Sequence, residues 1–177
     1  MRSVIVIMLV LVALPLGCSS KRSNSTSASA LISRLARVSS QDKGDGAIEA
    51  YKKLKEMGVE AFDELVNHAH DKQLAWPCFQ EQTTNATTVG NVCFSLIKGA
   101  LYGATPKVLR VSIFDDVTLE AWWTQRRGRT LVDLRIDACE YVVARIKRDN
   151  STTVEWRKVQ LELYERLLAE AKAEKPR

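Results

Sequence analysis

Beyond residue 30, regular patterning of apolar and polar positions has the three-to-four spacing of a helix with one buried face. Leu31, Leu35 and Val38 form a short stripe. Asp45-Gly46 opens a second helix whose Ala47, Ala50, Tyr51 and Leu54 share a face. Gly58 follows at the position where a helix commonly turns left-handed. Ala61, Phe62, Leu65, Val66 and Ala69 predict a third helix. Thr88 then precedes the cleanest pattern in the chain, Val89, Val92, Cys93, Leu96, Ile97, Ala100 and Leu101, which Gly103 ends. 

The next stretch breaks the rhythm. Leu109, Val111 and Ile113 alternate with Arg110 and Ser112, which is strand spacing, but the run is short and has no partner strand. Residues 104–116 are therefore expected to be an ordered connection. Asp115 or Asp116 is expected to cap a helix running through Arg127 and closed by Gly128. Thr130-Leu131-Val132-Asp133 resembles a capping box with Asp in place of Glu or Gln. Leu131, Leu134, Ala138 and Tyr141 line one side of the following helix, and Val132, Ile136, Cys139, Val143 and Ile146 the adjacent side. Two stripes predict a central helix. Thr152-Thr153-Val154-Glu155 has capping-box chemistry for a last helix carrying Trp156, Val159, Leu163 and Leu167 beside Leu161, Tyr164 and Leu168. The expectation is all-α: an irregular array of about six to seven helices over residues 31–170, with residues 171–177 a fraying charged tail.

The N-terminal segment has a different pattern. After Arg2, Val4 to Leu14 is an unbroken run of apolar residues. A membrane-spanning helix needs ~20, whereas a basic start and a shorter run fit a secretory signal. The sequence Leu14-Pro15-Leu16-Gly17-Cys18-Ser19-Ser20 resembles the lipobox of bacterial lipoproteins, with Gly17 and Cys18 matching and Pro15 standing where Leu is usual. That resemblance implies a signal peptide over residues 1–17 and lipid on Cys18 as the mature N-terminus. Each buried methylene contributes ~0.8 kcal/mol, and two acyl chains hold a protein stably on a bilayer. The protein is then expected in the cell envelope, lipid-anchored on the extracytoplasmic side, or secreted if Cys18 is not lipidated. The alternative cleavage triplet Ala28-Ser29-Ala30 lies far past the apolar run. Residues 18–30 are Ser-rich and read as a flexible tether.

Length and composition fit one ordinary domain: 177 residues, 46% hydrophobic and 27% charged. The net charge of +5 falls to +4 once Arg2 is removed, too mild to indicate nucleic-acid binding. The stretch Ala47 to Val66 resembles a HEAT-like repeat, an A-helix ending in Leu-x-x-x-Gly followed by a B-helix, and a degenerate second unit begins at Val89. Such units imply a helical surface for binding a partner, although an array usually needs about three of them. Thr88-Val89-Gly90-x-x-Cys93 and Trp122-Trp123 with Arg129-Thr130-Leu131 also resemble features of uncharacterised extracytoplasmic bacterial proteins.

Candidate chemistry is sparse. His68 and His70, two apart on a helix, point ~200° away from each other and do not form a chelating pair. Asp42-Lys43-Gly44-Asp45-Gly46 fails as an EF-hand loop, because Lys falls at the third and twelfth positions. Asp133 and Asp137 are spaced i, i+4, have Arg129 and Arg135 close in sequence, and read as a solvated face. No nucleophile elbow, phosphate loop or dinucleotide fingerprint occurs, so no catalytic residue, metal or cofactor is expected. Cys93 and Cys139 lie on apolar faces, and Cys78 with Cys93 is the candidate disulfide. Trp122-Trp123 beside Arg126, Arg127 and Arg129 is the one surface candidate. Trp123 and the three arginines suit a protein partner or an anionic surface. Against that, both tryptophans follow Leu119 at core spacing. The function expected is a lipid-anchored, non-catalytic interaction module in the cell envelope, binding the membrane through its lipid and a protein or anionic surface through its helices. The alternative is an envelope enzyme or enzyme inhibitor whose site assembles only in three dimensions.

Overall fold

The computed structural model describes residues 27–36, 44–76, 87–103 and 111–175. The apolar run, Cys18, Cys78 and residues 104–110 lie outside them. The described chain is all-α: α1 (Ala28–Ser33), α2 (Asp45–Met57), α3 (Phe62–Asn67), α4 (Val89–Tyr102), α5 (Leu119–Thr124), α6 (Leu131–Arg148) and α7 (Val154–Glu174). Two 3-10 turns, Gly58–Ala61 and Ile113–Asp115, precede α3 and α5. Among the described residues extended pairing is limited to two isolated bridges, Ala36 with Ala75 and Leu74 with Thr88.

Helices α4, α6 and α7 start where a threonine can accept a hydrogen bond from a backbone N–H of the first turn. Thr88 accepts from Asn91 N, Thr130 from Asp133 N and Thr153 from Trp156 N. Gly58 ends α2 at φ +57, a conformation that a side chain would strain, and its N–H bonds to the Lys55 carbonyl.

Helix α6 is central, as its two stripes predict. It packs along α7 on one side and against α4 on the other; α3 packs on α4, and α1 joins α2 to α3. Leu134, Ala138, Cys139, Val142 and Ile146 of α6 meet Val92, Cys93, Ile97 and Leu101 of α4 within one continuous core. Tyr102 and Tyr164 meet edge to face at 5.8 Å, and both hydroxyls hold the approach to the second 3-10 turn. Tyr102 accepts from Ile113 N at 3.1 Å, and Tyr164 donates to the Val111 carbonyl. The strand-like alternation around Val111 is thus a tyrosine-clamped connection.

Several expected boundaries move. Helix α1 begins at Ala28, inside the segment read as tether: Ser27 accepts from Ala30 N, and Ala28 is buried. Serine serves tethers and caps alike, and here a buried alanine after it decides for the cap. Helix α7 continues to Glu174, past the expected fraying point, because Ala171 is buried and the end is tied to α6. The ties are Lys172 to Glu140 at 2.8 Å, Glu174 to Arg135 at 2.6 Å and Lys175 to Asp133 at 2.7 Å. Helix α5 is shorter than expected and is capped by Thr118, whose hydroxyl accepts from Ala121 N. Asp115 and Asp116 instead bind Arg145 at 2.9 and 3.2 Å. Thr153, not Thr152, caps α7, and the Thr152 hydroxyl is buried without a partner. Finally, the inward row of α7 includes Gln160, Tyr164 and Ala171, which leaves Val159 56% exposed.

Candidate functional site

The tryptophan–arginine cluster lies where α5 turns into α6. Leu119, Trp122 and Trp123 are all buried, as three residues at i, i+3 and i+4 on one short helix must be if that helix has one inward face. Trp122 meets Phe114 edge to face at 5.4 Å, and the Arg126 guanidinium lies over its ring at 5.4 Å. Trp123 packs edge-on against Phe62 of α3 at 5.3 Å and donates from Nε1 to Asp63 Oδ1 at 2.7 Å. Only 4% of Trp123 remains exposed, so it is a core residue and not a surface contact.

The arginines are engaged as well. Arg126 Nε donates to Asp137 Oδ2 at 2.5 Å, and its side chain is only 19% exposed. Arg129 approaches the other Asp137 oxygen at 3.7 Å, and Arg127 Nε lies 2.9 Å from Asp63 Oδ1. Three cations therefore meet two carboxylates, leaving a local excess of one charge where the sequence suggested a bare basic patch. Arg127 and Arg129 stay on the surface, but their strongest neighbours are in their own chain.

Beside them is an open depression of about 280 Å³, lined by Arg129, Asp133, Ile136, Asp137 and Glu140. Its carboxylates are committed. The hydrogen bond from Lys175, then that from the Thr130 hydroxyl, hold Asp133 below the usual carboxylate range. Asp137 is shared by Arg126 and Arg129, and Glu140 is paired with Lys172. Each of the three carboxylates is thus occupied by a cation of a neighbouring element. The arrangement suits fastening α5, α6 and α7 together.

The remaining candidates separate. Cys93 is a free thiol buried on α4, its pKa pushed up to about 12, first by burial and then by Asp71. Cys93 faces the core, and Cys78, its candidate disulfide partner, lies outside the described residues. Cys139 is also free and buried, raised to about 11 by the same desolvation. His68 Nδ1 lies 3.5 Å from Asp71, whereas His70 Nε2 lies 2.7 Å from Glu120, so the two imidazoles serve different carboxylates. Among the described residues no three His, Cys, Asp or Glu side chains are grouped to hold a metal ion. No helix there is long and apolar enough to cross a membrane.

Sequence reasoning missed Asp63. It stands directly after a core phenylalanine on an exposed stretch of α3, and nothing nearby in the sequence signals a partner sixty residues away.

In comparisons with protein-family models, curated proteins and solved structures, the chain matches none.

Proposed function

We propose that the protein is a lipid-anchored, non-catalytic interaction module of the cell envelope, held on the extracytoplasmic side through Cys18. The observation that carries the reading is the apolar run Val4–Leu14 followed, after Pro15-Leu16, by Gly17-Cys18. An apolar run too short to span a bilayer, ending at a small residue and a cysteine, suits export followed by acylation. A non-catalytic role is favoured by how the charged groups near the depression beside α5 and α6 are used: Asp133, Asp137 and Glu140 each neutralise a cation. The interaction role draws on α2 and α3, which follow one another through Gly58 in the manner of a HEAT-like unit and carry exposed polar faces.

Cys18→Ser tests the anchor. The wild-type protein should incorporate labelled fatty acid and sediment with membranes. The variant should lose the label and accumulate as an uncleaved or soluble species. Equal labelling of both would overturn the reading.

A further inference from the structure

Helix α7 packs chiefly on α6 and turns its opposite side to solvent. That side is not uniformly polar. Val159 is 56% exposed, and Leu163, one turn later, is partly exposed. Trp156, Leu161, Leu167 and Leu168 pack against the core, whereas among the described residues Leu163 does not. The charges around this pair are also unused. Among the described residues Glu155, Lys158 and Glu162 take part in no ion pair, although Glu165 of the same helix binds Lys147 at 2.8 Å. Arg166 reaches Glu170 only at 3.9 Å, with both side chains exposed, and such a pair holds an arginine weakly.

These residues are complementary to their own copy. A two-fold axis perpendicular to a helix sets each residue before the axis against one equally far beyond it on a second copy. With the axis at residues 160–161, Glu155 meets Arg166 of the second copy, Lys158 meets Glu162 and Val159 meets Leu163. The three pairs share one register, opposite charge on opposite charge and apolar on apolar, and the symmetry makes each of them twice. Glu155, Val159, Glu162 and Arg166 follow at i, i+4, i+7 and i+11, so they lie on the single face that such a contact uses. Parallel packing in register would instead set every charge beside its like, which is unfavourable.

We propose that two copies of the chain associate antiparallel through this outward face of α7. The contact needs neither Cys18 nor the tryptophan–arginine cluster. One helix pair is a small interface beside the ~1,200–2,000 Å² of stable complexes, so the dissociation constant expected is roughly 10–100 μM.

Sedimentation equilibrium of the full chain in density-matched detergent tests the contact and should show a reversible monomer–dimer equilibrium in that range. Val159→Glu should weaken the association by at least ~10-fold, and Arg166→Glu, which sets like charges at both ends of the contact, by a similar factor. Adding Glu155→Arg to Arg166→Glu exchanges the two charges and should bring the association back to within ~3-fold of wild type. All three positions are exposed, so the melts should be unchanged. A chain that stays monomeric about tenfold above the expected range, a dimer that Val159→Glu leaves intact, or a charge exchange that restores nothing would each overturn the α7 contact. Should Val159→Glu lower the melt, the Arg166→Glu variant and its charge exchange decide alone.

Discussion

Asp63 accepts the indole N–H of Trp123 across sixty residues of sequence, at 2.7 Å, and the same oxygen takes Arg127 at 2.9 Å. The bond joins α3 to α5 at a point where the Phe62 and Trp123 rings already meet. Half of the interaction is buried and half is at the surface, and the two halves make different demands. The indole N–H has lost its water and needs an acceptor, whereas the arginine can return to solvent.

Asp63→Ala should therefore destabilise the fold by about 1–3 kcal/mol, the cost of a buried donor left unsatisfied. Asp63→Asn keeps a carbonyl oxygen for the indole and loses only the exposed ion pair, so its cost should be well under half as large. Urea unfolding with an unchanged slope measures both. Equal midpoints for the two variants would mean that the ion pair, not the indole bond, is the significant contact.

Gly90 makes a sharper test of packing at the start of α4. A Cβ built there would lie 2.5 Å from the Ala69 carbonyl oxygen and 2.9 Å from the Asp71 nitrogen, both backbone atoms. The Gly90 N–H also bonds to the Asp71 carbonyl at 3.0 Å, so the close approach is part of how the α3 turn meets α4. Gly90→Ala should cost about 1–3 kcal/mol by overpacking. Gly99, in the same helix, has nothing within 4 Å of its Cβ direction. Gly99→Ala should stabilise by roughly 0.5–1 kcal/mol through helix propensity. Thermal melts of the two variants should shift in opposite directions.

What was legible in the sequence was local. Thr88 and Thr130 cap where they should, and the α4 and α6 stripes are core, because spacing and capping act within one or two turns. The all-α architecture follows from those elements. One-residue choices were less legible: Thr152 and Thr153 offer the same hydroxyl, and it is Thr153 that accepts the Trp156 backbone N–H. The inward row of α7 includes Gln160 and Ala171 beside Tyr164, with Trp156, Leu161, Leu167 and Leu168 packed against the core, so apolar character alone misplaced Val159. The pairing of the arginines near the end of α5 leaves no mark in the sequence, because the neutralising carboxylates, Asp63 and Asp137, come from two other helices. Charge neutralisation across tertiary contacts leaves no periodic trace.

Arg126 tests that neutralisation. Its guanidinium covers the Trp122 ring and bonds to Asp137 in a largely enclosed position, while Arg127 and Arg129 are exposed. Arg126→Gln should destabilise by about 1–3 kcal/mol, through the lost charge-assisted bond and the uncovered indole. Arg127→Gln and Arg129→Gln should each stay within about 0.5 kcal/mol of wild type. Three equal, near-zero effects in denaturant titrations would return the cluster to the status of a solvated face.

The buried acids predict how the fold fails in alkali. Burial pushes the Tyr102 hydroxyl up to about 12 and also raises that of Tyr164. Desolvation likewise raises the Cys93 thiol to about 12 and the Cys139 thiol to about 11. In the unfolded chain a tyrosine ionises near ~10 and a thiol near ~8.5. Each group thus binds its proton more tightly when folded, so its stabilisation is complete below the unfolded value and is lost as pH rises toward the folded one. Stability should begin to fall above about pH 8.5 and fall more steeply once tyrosine ionisation joins, between about pH 10 and 12. Tyr102 alone should account for a loss on the order of 2–3 kcal/mol across that window. Tyr102→Phe removes this contribution but leaves the Ile113 N–H without its acceptor, so the variant should be about 1–3 kcal/mol weaker at pH 7 and shallower above pH 10. The double variant Cys93→Ala with Cys139→Ala should instead flatten the earlier part of the curve. Urea midpoints measured from pH 7 to 12, with tyrosinate absorbance followed in parallel, test the order of events. A wild-type midpoint that stays level through pH 11 while tyrosinate appears would mean that these hydroxyls ionise without unfolding, and that the tyrosine clamp around Val111 and Ile113 opens on its own.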